Sequence, residues 1–194
     1  MVRLIPAQLN ALAAALDSLP GVGPRAAMRY ARHLLARPAE SDALVTALKG
    51  AVSALALCDT CRSYTVNSEC AFCQHWQAQD EPGKACLVVE QPEHLQQAVD
   101  AGWTGTAFVL HGLLSPLEGQ GPSQLGLDRL DNFLRSEQPP AALVIALDTG
   151  VEGRTTAHYL STLAGRADIP CQAPGWEVWL QQASTRLPDT EEKS

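Results

Sequence analysis

The chain has 194 residues, of which 46% are hydrophobic and 18% charged, with a formal net charge of −7. This balance excludes a disordered polymer, and no apolar run approaches the roughly 18 residues of a membrane-spanning helix. Scarce aromatics and abundant alanine favour helices over an all-β architecture, and the length allows one or two domains.

The average charge hides an asymmetry. Residues 1–57 carry six Lys/Arg and three Asp/Glu, net +3, whereas residues 58–194 carry eight and eighteen, net −10. A local basic face is enough to contact phosphates in an acidic protein, and the acidic remainder is expected to orient the molecule on its partner. The start, "MVRLIPAQLN", lacks the apolar core of a signal peptide, so a cytoplasmic protein is expected.

In chain order, Leu9, Leu12, Ala13, Leu16 and Leu19 recur at helical spacing and predict a helix over 5–18. "LPGVGP" interrupts it, and Pro24 suits the first position of a second helix. Helix, Pro-Gly-Val-Gly-Pro, helix resembles a helix-hairpin-helix motif. Gly21 and Gly23 permit positive φ and close backbone approach, and the second helix offers unpaired N–H groups and the positive end of its dipole. At about 100° per residue, Arg25, Arg29 and Arg32 share a sector of about 60°, with Ala27, Tyr30 and Leu34 opposite and Arg37 outside it. Either this is a solvated basic face on a tight αα-turn, or it grips DNA phosphates without regard to sequence. Ser41 is expected to cap a third helix whose apolar face is Leu44, Leu48, Ala51, Val52 and Leu55.

"CDTCRSYTVNSECAFC" places Cys58, Cys61, Cys70 and Cys73 as C-x2-C-x8-C-x2-C. Two such knuckles wrap one tetrahedral Zn²⁺ with four thiolates; a pair of disulfides is disfavoured in a reducing compartment. A closed site of this kind is structural and leaves no open position for catalysis. His75 is either a fifth donor or a surface residue, and "QAQDEPGKA" reads as a linker.

From Cys86 the rhythm changes. "CLVVE", "TAFVLH", "ALVIAL" and "ADIPCQA" read as strands alternating with three helices, "PEHLQQAVDAG", "SQLGLDRLDNFLRSE" and "GVEGRTTAHYLSTLAG". That order implies crossover connections and a mainly parallel sheet. Cys86 and Cys171 are expected to be small buried hydrophobes. "PDTEEKS" reads as a solvated tail, and no internal repeat is evident.

Glu90 and Asp148 end two of these strands, where open α/β sheets form their functional crevice, and Glu152 opens the following helix. Glutamate after one strand and an aspartate turn after another resembles a Toprim domain, whose catalytic members bind Mg²⁺ there for phosphoryl transfer. Gly150 stands where that pattern has a second aspartate, so the set is reduced to Glu90, Asp148 and Glu152. Helix capping and ordinary surface carboxylates are the alternative. No phosphate-binding G-x-x-x-x-G-K-[ST] loop occurs.

Taken together, "LPGVGPRAAMRYARHLL", the cysteine spacing, "CLVVE", "LHGLLSPLEGQGP" and "VEGRTTAHYL" resemble the RecR family of recombination mediators over nearly the full chain. The resemblance implies an α/β protein with an N-terminal helix-hairpin-helix region (1–57), a small four-cysteine zinc finger (58–73), a linker (74–85), a Toprim-type mainly parallel sheet flanked by helices (86–172) and a divergent C-terminal segment (173–194). It implies a non-enzymatic DNA clamp in recombinational repair, acting with RecO-like and RecF-like proteins to load RecA, and a dimeric or tetrameric ring. Arg25 and Arg29 would face DNA; Glu90, Glu152 and the neighbouring loop would face partners. Two other functions compete: a Mg²⁺-dependent nuclease or strand-transfer enzyme using Glu90 and Asp148, and an adaptor that has lost DNA binding. The chain departs from the family at Asp148-Thr149-Gly150 (usually Asn-Pro-Thr), at "QHWQAQ" (usually charged), at Arg154 (usually glutamate) and in "APGWEVWLQQASTRL", where a Gly-Gly-Glu motif is degenerate. Trp176 and Trp179 there serve either assembly or packing within the chain.

Overall fold

The computed structural model describes residues 5–77, 84–117 and 119–185. The chain divides near residue 55 into two compact units. Residues 78–83 of the expected linker, Glu118 of the "LSPLEGQGP" segment and the expected tail lie outside the described residues, while residues 74–77 of that linker belong to a helix.

The first unit is helical: α1 (Ala7–Asp17), α2 (Pro24–Leu35) and α3 (Pro38–Ala54). Helices α1 and α2 pack through small side chains; Ala13, Ala27 and Ala31 are buried, which lets the two backbones approach closely. Gly21 turns the chain at φ +75°, and Pro24 fills the first helical position as expected. Ser41 is not a cap. Pro38 starts α3 three residues earlier, and the Ser41 hydroxyl instead donates to Leu34 O at 2.7 Å. The apolar stripe of α3 is real but uncovered: Leu44, Leu48 and Val52 are all exposed.

From the boundary onward, β1 (Leu55–Leu57) and β2 (Tyr64–Val66) form a small sheet, followed by α4 (Ala71–Gln77). Strands β3 (Cys86–Val89), β4 (Thr106–Val109), β5 (Leu143–Ala146) and β6 (Cys171–Gln172) follow. They form one parallel sheet in the order β4-β3-β5-β6, with α5 (Pro92–Asp100), α6 (Leu127–Leu134), α7 (Val151–Arg166) and α8 (Trp176–Ser184).

Strand alternation divides the core between the two faces. Cys86 and Val88 point toward Leu127, Leu130 and Leu134 of α6 and Leu160 and Leu163 of α7. Leu87 and Val89 point toward Leu95 and Ala98 of α5, Trp179 of α8 and Cys61, Cys70 and Trp76. This is why β3 is buried throughout, as a parallel strand covered on both sides should be.

One expectation fails at the sheet edge. Cys171 is exposed rather than buried, because β6 is a two-residue edge strand. The divergent segment after it forms α8. Its tryptophans pack within the chain: Trp179 is buried, stacks on Trp176 with centroids 5.3 Å apart, and meets Trp103 edge-on at 5.8 Å.

Candidate functional sites

In the first unit, Arg25, Arg29 and Arg32 are all exposed on α2. Arg29 Nη2 reaches the Tyr30 hydroxyl at 3.4 Å with its guanidinium over that ring, and Arg32 Nε donates to Met28 O at 3.3 Å. Among the described residues no carboxylate pairs with any of the three. Arg37, by contrast, is paired with Glu40 at 3.3 Å and touches His33. The first turn of α2 holds no acidic side chain, so its N-terminal N–H groups and dipole are not already neutralised. The two glycines differ. Gly21 needs its positive φ, whereas Gly23 lies in extended backbone (φ −91°, ψ 171°) that any residue adopts. A Cβ at Gly23 would meet nothing in the chain within 4 Å.

In the second unit, the sulfurs of Cys58, Cys61, Cys70 and Cys73 lie within 4.8 Å of one another; Cys58–Cys73 is 3.6 Å and Cys61–Cys70 is 3.4 Å. Four thiolates around Zn²⁺ stand about 3.8 Å apart at Zn–S of about 2.3 Å, so the donor set fits a tetrahedral ion. The knuckle turn is made by Cys58 N donating to Ser63 O (2.8 Å) and Arg62 N donating to Cys58 O (3.0 Å). Ser63 N also donates to Cys61 Sγ at 3.4 Å.

Without metal the protons divide unevenly. The hydrogen bond with Cys73, then burial, drives the Cys61 thiol far up. Burial raises Cys70 to about 11. Burial opposes ionisation of Cys58 too, but N–H donors of Cys61 and Thr60 and the thiols of Cys73 and Cys70 outweigh it and bring it to about 7. Four thiolates this close need a bound cation to ionise together. His75 is exposed and is not one of the four clustered donors.

Glu90 and Asp148 come together at the carboxyl ends of β3 and β5, on a cavity of about 340 Å³ also lined by His94, Trp176 and Glu177. Burial pushes the Glu90 carboxyl up, the charges of Asp148 and Glu152 add to this, and a hydrogen bond from Gln91 opposes it. Asp148 also shapes the turn into α7: its Oδ2 accepts the Gly150 N–H at 2.7 Å. A Cβ at Gly153 would lie 1.8 Å from Asp148 O, so glycine is what lets the helix sit against the strand end. Glu152 is exposed in the first turn of α7 and does not line the cavity.

Sequence reasoning missed Glu177 and the His94–Trp176 stack (centroids 4.2 Å, 23° between planes), because both depend on where α8 packs. It also missed Arg62, which is buried although it is charged. An arginine inside the turn of a metal knuckle is the one signal that was available.

A glycine-hinged helical pair, a four-thiol centre and a parallel sheet with acids at its carboxyl edge make this a helix-hairpin-helix and Toprim protein. Residues 9–52 match the family model described as RecR, helix-hairpin-helix, and residues 84–173 match a Toprim domain. The chain is 42% identical over 160 residues to the recombination protein RecR of Methylococcus capsulatus, covering 80% of this chain and 77% of that one. It is 38% identical over 162 residues to the recombination protein RecR of Xylella fastidiosa strain 9a5c, covering 83% and 80%. The chain belongs to the RecR family of recombination proteins. The thiol centre lies between the two matched segments, and α8 lies beyond the second. Among the described residues no helix is long and apolar enough to cross a membrane.

Proposed function

We propose that the chain is a recombination mediator that grips DNA without sequence preference through Arg25, Arg29 and Arg32, with Gly21 and Gly23 bringing backbone close to the strand. In this reading residues 1–57 supply the DNA contact, 58–73 hold one structural Zn²⁺, and 86–172 present Glu90, Asp148 and Glu152 to RecO-like and RecF-like partners while RecA is loaded. The protein works as a cytoplasmic, nucleoid-associated dimer or tetramer, in which several weak grips act on one strand.

The observation that carries the reading is the bare face of α2: three arginines on one side of a helix, with no acid paired to them among the described residues. Cations left unneutralised in an acidic protein are available for phosphate. An Arg25→Ala/Arg29→Ala variant should bind gapped DNA far more weakly than wild type at low salt, with an unchanged circular dichroism spectrum. Equal binding would end the proposal.

The crevice favours a second reading, since Glu90 and Asp148 line one cavity. A Mg²⁺-dependent nuclease or strand transferase would use them as hard oxygen ligands. Asp148, whose Oδ2 is engaged by the Gly150 N–H in the α7 turn, speaks against it. Metal-dependent DNA cleavage abolished by Glu90→Gln would establish this activity, and no cleavage at high protein concentration would retire it.

A further inference from the structure

Arg62 joins the thiol centre to the sheet through contacts that neither reading uses. It follows Cys61 directly, adopts a left-handed backbone at φ +61° and is only 8% exposed. Its Nε donates to Val109 O at 3.1 Å, its Nη2 donates to Gln124 O at 3.4 Å, and its guanidinium lies 5.9 Å from the Phe108 ring centroid. No carboxylate pairs with it among the described residues. Two carbonyls and a ring therefore take the place of water around a buried cation.

Its backbone is tied as tightly. Cys61 O accepts the Val109 N–H at 2.9 Å, so Cys61 and Arg62 together satisfy both main-chain groups of the last residue of edge strand β4. His111 Nε2 donates to Arg62 O at 2.6 Å. The seat is moulded to the side chain, because a Cβ on Gly126 would lie 2.3 Å from Arg62 Nη1. The contacts reach the two ends of one segment. Residues 111–115 and 120–126 are joined to each other by the paired Ser115–Gln120 bonds (3.0 and 2.9 Å), and the first piece is tied to α7 by Leu114 N donating to Thr156 Oγ1 at 2.9 Å.

A left-handed non-glycine residue persists only where its surroundings over-determine it. Here those surroundings are the knuckle turn, closed by Cys58 and Cys61. We propose that Arg62 is a strut through which metal occupancy of the four-thiol centre sets the order of residues 111–115 and 120–126. With metal bound, the knuckle holds Arg62 in its seat. With metal gone, the four crowded thiols separate, the turn relaxes, and the guanidinium leaves the carbonyls of Val109 and Gln124 for water. The segment then loosens while β3 and β5, buried on both faces, stay folded. The inference rests on reading the thiols as a metal centre, and residues 111–115 and 120–126 would become responsive to zinc supply.

Hydrogen exchange read by mass spectrometry, with metal content measured on each sample, tests this in the full chain. Stripping zinc with a high-affinity chelator should speed exchange at 111–115 and 120–126 by about tenfold or more, with β3 and β5 still protected. Arg62→Ala should give the same local loss with zinc still bound, and Arg62→Lys, which keeps the charge but not the two-pronged reach, should fall between. Unchanged protection of the segment in the stripped protein or in both variants would overturn the strut, as would loss of β3 and β5 together with it. A protein that purifies without metal would overturn the metal reading itself, whereas the two Arg62 variants report on the strut alone.

Discussion

Glu90 ends β3 in surroundings that oppose its own charge, and this gives it a measurable signature. Its folded pKa is raised above the unfolded value by burial, with Asp148 and Glu152 adding. The fold therefore favours the protonated acid: that stabilisation is present below the unfolded pKa and is lost as pH rises through the folded one. Glu90→Gln should melt above wild type near neutral pH, and the gain should fade as the pH is lowered through the carboxylate range. Equal melting temperatures at neutral pH would contradict the assignment. Two glycines of α7 make a contrasting pair. Gly153→Ala, with its methyl driven into Asp148 O, should cost about 1–3 kcal/mol in urea unfolding. Gly165→Ala, with nothing within 4 Å, should stabilise by about 0.5–1 kcal/mol. At this scale, sequence reasoning read what is periodic or locally spaced: the arginine sector and the four cysteines, whose sulfurs do converge. Arg62 and Glu177 were not legible, because each depends on residues far along the chain, and the crowding at Gly153 was not, because it depends on how closely α7 turns back on Asp148 O.

Among the elements, α2 and the alternation of strands and helices were legible from proline placement and apolar period. The start of α3 was not, because Ser41 bonds backward to Leu34 O, a use of the hydroxyl that competes with capping. The apolar stripe of α3 was read correctly as a stripe, but period alone does not say whether a stripe is covered. Helix α8 was missed because its tryptophans suit a surface as well as a core. Their place in the fold now gives a prediction: Trp179→Ala should cost about 3–5 kcal/mol, seen as a lower urea midpoint and a diminished near-UV signal from the Trp103–Trp176–Trp179 cluster. A loss below about 1 kcal/mol would instead mark Trp179 as a surface residue.

For the whole molecule, the division of charge matters more than its sum. Residues 1–57 carry net +3 and residues 58–194 net −10, so α2 is a cationic element in an otherwise acidic chain. Affinity should therefore be weak per copy, strongly dependent on salt, and raised by assembly. The most direct measurement is the slope of log affinity for gapped DNA against log salt, for wild type and for Arg25→Ala/Arg29→Ala/Arg32→Ala, with the mass of the complex read by light scattering at each salt. We expect the wild-type slope to be steep and the variant's to be shallower by about 0.7–0.9 for each lost phosphate contact, with the assembly unchanged. Superimposable slopes for the two proteins would mean that α2 does not hold DNA.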